Sequence, residues 1–122
     1  MKILVVDDEE DMQILFQQKF RKEIRDGIAE FAFATSADLA KEYLDQNHQE
    51  VVLILSDINM PRISGLELLE HIKQTYHSPA PIVLMITAYG DDENYKLAMD
   101  LGANEFLIKP IDFDVLKKKL KI

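Results

Sequence analysis

The chain has 122 residues, no cysteine, and 22 acidic against 14 basic side chains, for a formal charge of -8. That length suits one domain able to bury a core without staples, and the missing cysteines exclude a disulfide framework and cysteine-based zinc or iron–sulfur sites. The acidic balance argues against direct binding to nucleic acid or anionic membranes, and with neither a signal peptide nor a membrane-length apolar run the expectation is a soluble, cytoplasmic domain.

Ile3 to Val6 is a short, β-branched apolar run that predicts a buried strand, and it stops at Asp7-Asp8. Glu9, Glu10 and Asp11 then start a helix whose N-terminus favours negative charge, with Met12, Leu15, Phe16, Phe20 and Ile24 as its buried stripe and Gly27 as its end. Ala29 to Ala34 predicts a second strand, and Ser36 caps a helix facing inward through Leu39, Ala40, Tyr43 and Leu44. Val51 to Leu55 is an unbroken apolar run with no polar alternation, as in a strand covered on both faces, and Asp57 stands at its carboxyl end. Asn59-Met60-Pro61 breaks that strand, and Gly65 opens a helix carrying Leu66, Leu69, Ile72 and Tyr76. Ile82 to Ile86 is a further apolar strand ending at Thr87-Ala88-Tyr89-Gly90. Asp91, Asp92 and Glu93 start the next helix, with Leu97, Ala98 and Leu101 inward and Gly102 closing it. Asn104 to Ile108 predicts the last strand, ending at Lys109-Pro110, and from Asp112 a short helix uses Phe113, Leu116 and Leu120. Lys117, Lys118, Lys119 and Lys121 on that helix read as a solvated face that complements its macrodipole.

Strand and helix alternate five times, which predicts an α/β fold: a parallel sheet with helices on both faces. Such sheets bind ligands beyond the carboxyl ends of their strands, where this chain places Asp7, Asp8, Asp57, Thr87 and Lys109. Carboxylates brought that close repel one another and call for a positive answer, either a divalent cation with hard oxygen ligands, Mg²⁺ being typical of phosphate sites, or Lys109. Together they make a phosphoryl-transfer set. Asp57 is the nucleophile, a metal and Lys109 meet the transferring group, and Thr87 with the Ala88 backbone N–H holds its oxygens. The glycines are scattered, so no nucleotide-cradling loop is present, and His48, His71 and His77 lack ligand spacing and read as surface residues.

The segments Ile3 to Glu9, Ser56 to Pro61 with Gly65, Ile86 to Ala88 and Leu101 to Pro110, in this order and spacing, resemble the receiver domain of bacterial two-component response regulators over nearly the whole chain. The resemblance implies a flavodoxin-like (βα)5 three-layer sandwich with strand order 2-1-3-4-5, formed by residues 1–122 as a single domain. It implies that Asp57 is phosphorylated by a sensor histidine kinase or a histidine phosphotransfer protein. Mg²⁺ would be held by Asp8, Asp57 and the Asn59 main-chain carbonyl, with Asp7 acting through water. Lys109 would pair with the phosphoryl group, the Lys109-Pro110 bond would be cis, and Thr87 and Phe106 would form the switch pair. Many relatives carry tyrosine at the Phe106 position; phenylalanine rotates but cannot hydrogen-bond. Asn59 and Tyr89 take the positions that tune hydrolysis, for an acyl phosphate of intermediate persistence. An output domain or target would read the face made by the helix from Asp91, the last strand and the last helix, and that face also allows a phosphorylation-dependent homodimer.

The resemblance implies a switch that catalyses its own phosphorylation and dephosphorylation rather than a conventional enzyme. A metal-dependent aspartyl phosphohydrolase is the alternative from the enzyme class, but Asp7-Asp8-Glu9 lacks the Asp-x-Asp pattern of such enzymes. An unphosphorylated interaction module is a third reading, opposed by the complete set of acids, threonine and lysine. With no linker before Ile122, the chain fits a free-standing regulator or one excised from a longer protein, and the short last helix favours excision.

Overall fold

The computed structural model describes residues 1–60, 62–78, 80–88 and 90–122. In chain order they form β1 (Lys2–Val6), α1 (Asp11–Lys19), α2 (Arg21–Arg25), β2 (Glu30–Ala34), α3 (Ala37–Asn47), β3 (Val51–Asp57), α4 (Gly65–Thr75), β4 (Ile82–Thr87), α5 (Asp92–Asp100), β5 (Glu105–Ile108) and α6 (Phe113–Leu120). The five strands make one parallel sheet in the order β2-β1-β3-β4-β5, the flavodoxin-like arrangement.

Period-two alternation divides the interior. Ile3 and Val5 of β1, Leu53 and Leu55 of β3, and Leu84 and Ile86 of β4 point to one face, where they meet Phe16 and Phe20 from the α1–α2 segment and Leu116 and Leu120 of α6. Leu4, Val6, Ile54, Val83 and Met85 point to the other, against Ala40 and Leu44 of α3, Leu68, Leu69 and Ile72 of α4, and Ala98 of α5. The first face is built largely of aromatic rings, Phe16 stacking on Phe20 at 5.7 Å and meeting Phe113 edge-on at 5.1 Å. Helix starts are fixed locally: the Leu39 N–H donates to Ser36 Oγ, the Glu67 N–H to Ser64 Oγ, and the Val115 N–H to Asp112 Oδ1.

Three inward positions differ from the sequence expectation. The first helix is interrupted at Phe20, whose φ of -107° and ψ of 20° leave the helical region. The turn offsets the two helical pieces, so Ile24 is 39% exposed while the adjacent Glu23 is buried. Leu39 and Leu97 are also exposed, at 48% and 45%. In each of those helices a small residue, Ala40 or Ala98, makes the contact and lets the helix approach the sheet closely, which turns the neighbouring leucine outward. Lys118, Lys119 and Lys121 are exposed as expected, Lys119 pairing with the exposed Glu105 at 3.2 Å, while Lys117 is half-buried and pairs with the buried Glu23 at 3.0 Å.

The loop after β3 is drawn tightly back over the strand end. The Gly65 N–H donates to the Ile58 carbonyl at 2.8 Å, and a Cβ at position 65 would overlap the Asp57 carbonyl oxygen and lie 2.8 Å from Ile58 Cα. Because the obstacle is backbone, no side-chain rotation relieves it. Gly65→Ala is therefore expected to destabilise the domain by about 3 kcal/mol, the upper end for overpacking, measured as a lowered midpoint in urea unfolding.

Candidate functional site

Parallel register brings the strand ends level. Val6 pairs with Ser56, Asp57 with Ile86, and Thr87 with Ile108, so the residues that follow gather at one edge. Backbone bonds extend the ladder past the strands: Asp7 N–H to the Ala34 carbonyl at 3.1 Å, Ile58 N–H to Ile86 at 2.9 Å, and Lys109 N–H to Thr87 at 2.8 Å. Asp7, Asp57, Thr87 and Lys109 are thus mounted on rigid backbone. The Lys109-Pro110 bond is cis, as the resemblance implies.

The side chains converge. Lys109 Nζ donates to Asp57 Oδ2 at 3.0 Å and lies 3.6 Å from Asp7 Oδ2. Carboxylate oxygens of Asp7, Asp8 and Asp57 all lie within 4.8 Å of one another. Asp7 and Asp57 are buried, at 4% and 3% exposure, while Asp8 is exposed. Backbone amides hold two of the carboxylates: the Glu9 N–H donates to Asp7 Oδ1 at 2.9 Å and the Asn59 N–H to Asp57 Oδ1 at 3.2 Å. Two unit charges of like sign at about 4 Å repel by about 4 kcal/mol at an effective dielectric of 20, so one lysine leaves three carboxylates under-compensated.

The titration behaviour follows from this crowding. Burial pushes the Asp7 carboxyl above its ordinary value, against the opposing Glu9 N–H and Lys109 ammonium, and the Asp57 charge adds to the rise. Burial alone would lower the Lys109 ammonium, but its hydrogen bond to Asp57 and the attraction of Asp57, Asp7 and Glu9 outweigh that and raise it.

Two buried oxygens here, Asp7 Oδ2 and Thr87 Oγ1, have no hydrogen-bond partner among the described residues. An acceptor left unsatisfied beside other carboxylates suits a hard divalent cation, and a buried hydroxyl with a free donor suits an incoming anionic oxygen. The donor set, all oxygen, fits Mg²⁺. Ala88 and Asn59 stand exposed at the rim. Phe106 is half-buried against the α5 side of the core, and the Tyr95 ring meets it edge-on with centroids 4.7 Å apart. Nothing in the sequence singled out Tyr95. Tyr89, expected to tune hydrolysis, and Pro61 lie outside the described residues. A cleft of about 410 Å³, lined by Met12, Leu15, Ala88, Lys109, Ile111 and Phe113 among others, opens directly beside the site. The histidines stay out of it. His77 is exposed as expected, but His48 and His71 are half-buried and flank the Tyr76 ring, at 4.7 and 6.2 Å between centroids.

A parallel sheet of this order, with acids, a threonine and a lysine gathered at its carboxyl edge, defines a flavodoxin-like α/β domain with an acidic pocket at the ligand-binding end of the sheet. The sequence model of the family described as response regulator receiver domain matches residues 3–121. Chemotaxis protein CheY1 of Helicobacter pylori is 33% identical over 122 residues, covering 100% of this chain and 95% of that one. The 3',5'-cyclic-nucleotide phosphodiesterase regA of Dictyostelium discoideum is 33% identical over 124 residues, covering 98% of this chain but only 15% of that protein. The crystal structure of a response regulator receiver domain protein from Clostridium thermocellum superposes with a TM-score of 0.82 at 29% identity, over 99% of this chain and 98% of that one. The chain belongs to the response regulator receiver domain family.

The raised Asp7 value has a sign. Because the folded state holds the Asp7 proton more tightly than the unfolded state, folding is favoured at low pH, and the contribution is lost as pH rises from the ordinary 3.8 through the raised folded value. In chelator-treated buffer Asp7→Asn is therefore expected to melt at a higher temperature than the parent at pH 7. That difference should shrink as the pH falls toward 4, as followed by thermal unfolding across a pH series.

Proposed function

We propose that this chain is a phosphoacceptor switch in a two-component phosphorelay, with Asp57 taking the phosphoryl group from a phosphohistidine on a sensor kinase or histidine phosphotransfer protein. The observation that carries the reading is the 3.0 Å contact of Lys109 with the buried Asp57 beside two buried oxygens, Asp7 Oδ2 and Thr87 Oγ1, that lack a hydrogen-bond partner among the described residues. An Asp57 carboxylate oxygen attacks phosphorus, the phosphorus–nitrogen bond breaks, and its electron pair returns to the donor imidazole, leaving a mixed anhydride. Loss of the group is the attack of water on the same phosphorus: the phosphorus–oxygen bond to Asp57 breaks, its electron pair restores the carboxylate, and inorganic phosphate leaves with the water's oxygen while the water's protons pass to solvent.

Each neighbour has a task in that exchange. Lys109 neutralises charge on the phosphoryl oxygens once the Asp57 oxygen it now holds is esterified, and Thr87 and the Ala88 N–H donate to those oxygens. Asp8, Asp57 and the Asn59 carbonyl, with Asp7 acting through water, would hold Mg²⁺, which would supply Lewis-acid stabilisation of the transferring group. The cleft beside Lys109 and Ala88 is the approach for the donor. Asn59 at the rim, with Tyr89, governs how freely water reaches the anhydride.

The readout is a shift in population. Thr87, drawn toward the new oxygens, vacates space into which Phe106 rotates, and the surface of α5, β5 and α6 changes. Moving a two-state equilibrium from 1:99 to 99:1 takes about 5.5 kcal/mol, within reach of two or three charge-assisted bonds at ~1.5 to 3 kcal/mol each. The target or output domain binds that surface, where phosphorylation-dependent pairing with a second copy also belongs. Residues 1–122 act as one domain in this scheme, in the cytoplasm; no described helix is long and apolar enough to cross a membrane.

Incubated with a small phosphodonor and Mg²⁺, the protein should gain one phosphoryl group by intact mass, and Asp57→Asn should gain none. Labelling of Asp57→Asn, or labelling of the parent that ignores chelation of Mg²⁺, would overturn the assignment. Lys109→Ala should be phosphorylated about a hundredfold more slowly, the scale for losing one preorganised charge stabiliser. The acyl phosphate should decay over an intermediate time, and a half-life of seconds or of days would count against the roles given to Asn59 and Tyr89.

A further inference from the structure

On a chain with a formal charge of -8, one region has the opposite sign. An open groove of about 690 Å³ is lined by Lys19, Arg21, Lys22, Arg25 and Lys117, with Glu23 as the carboxylate among them. Glu23 is already spent: it is 7% exposed and accepts from Lys117 Nζ at 3.0 Å, so it holds the groove together without answering the other cations. Arg25 shares the exposed Asp26 at 3.1 Å, a pair worth little in water. Lys19, Arg21 and Lys22 make no ion pair among the described residues. Lys117 and Lys19 lie over aromatic rings, 5.2 Å from the centroid of Phe20 and 6.0 Å from that of Phe113. Lys117 is thereby fixed with Glu23 as the wall of the groove, and the unpaired charge of Lys19 is held in position before any ligand arrives, which lowers the entropy lost on binding.

The groove is remote from phosphoryl chemistry. It lies where α1 and α2 end, and the Glu23 carbonyl accepts from Ile28 and Ala29, the residues leading into the amino end of β2, whereas Asp57 stands at the carboxyl edge of the sheet. We propose that it docks a short acidic segment of a partner protein, a stretch carrying several Asp or Glu side chains. Charge complementarity selects that occupant over a nucleic acid. At physiological salt a charge is felt over about 8 Å, so a short peptide meets only the groove, while a duplex reaches past it to the acidic remainder of the surface. A single strand would seek exposed rings to stack on, but no aromatic side chain lines the groove among the described residues, and Phe20, beneath Lys117, is fully buried. Arg21 and Arg25, one helical turn apart, offer planar forks suited to carboxylates.

The test is a titration of the ¹⁵N-labelled chain with a deca-glutamate peptide and, separately, with a short DNA duplex, each at about 0.05 and 0.15 M salt. The proposal expects saturable amide shifts confined to residues 18–25 and 117–121, binding that weakens with salt, and no matching effect of the duplex. The double substitution Arg21→Glu with Lys22→Glu should weaken peptide binding by roughly tenfold or more at an unchanged melting temperature. Shifts scattered over Lys41, Lys73 and Lys96, unaltered binding by the double variant, or tighter binding of the duplex at the groove would overturn it. Shift mapping on the unsubstituted chain decides the matter even if the double variant fails to fold.

Discussion

Everything at the carboxyl edge depends on one electrostatic imbalance: three carboxylates drawn together by parallel register, with one ammonium to answer them. The backbone makes the imbalance unavoidable, because Asp7 and Asp57 follow strands that are neighbours in the sheet, and Lys109 follows one that lies two places further along. Burial prevents water from screening it fully. A site so arranged favours whatever brings positive charge, and it holds Asp57 close to a cation without letting that cation neutralise the whole cluster.

The rest of the molecule keeps this arrangement in place. Central strands buried on both faces admit no register slip that would not turn apolar side chains toward the wrong helices. Gly65 brings the following loop within bonding distance of Ile58, so the carbonyl after the strand and the Asn59 amide are fixed together with the Asp57 carboxylate. The aromatic group of Phe16, Phe20, Phe31, Phe33 and Phe113 fills one side with rigid volume, and the helices there have little freedom to shift.

The sheet and the polar cluster at its carboxyl edge were legible in the sequence because both rest on strong, short-range signals. Apolar runs at Ile3 to Val6, Val51 to Leu55 and Ile82 to Ile86 have one physical solution in a chain of this size, and each ends on a side chain with chemistry to offer. The helix faces were less legible. Leu39 and Leu97 look like core residues by hydropathy, but small residues beside them set the approach distance, and that is a property of the helix–sheet pair rather than of either segment. Glu23 was missed for a similar reason, since its partner Lys117 lies 94 residues away and only the packed structure unites them. The break at Phe20 that turns Glu23 inward carries no proline or glycine to announce it.

The two-sided interior has a consequence for how change accumulates in this domain. Phe106 and α5 belong to the compartment shared with α3 and α4, while the phenylalanine cluster fills the compartment on the opposite side of the sheet. Side chains separated by a fully packed sheet share no cavity and no partner, so their energetic effects sum with little cross-talk. Substitutions can thus accumulate in one compartment without disturbing the packing of the other, an independence that a single mixed core would not permit.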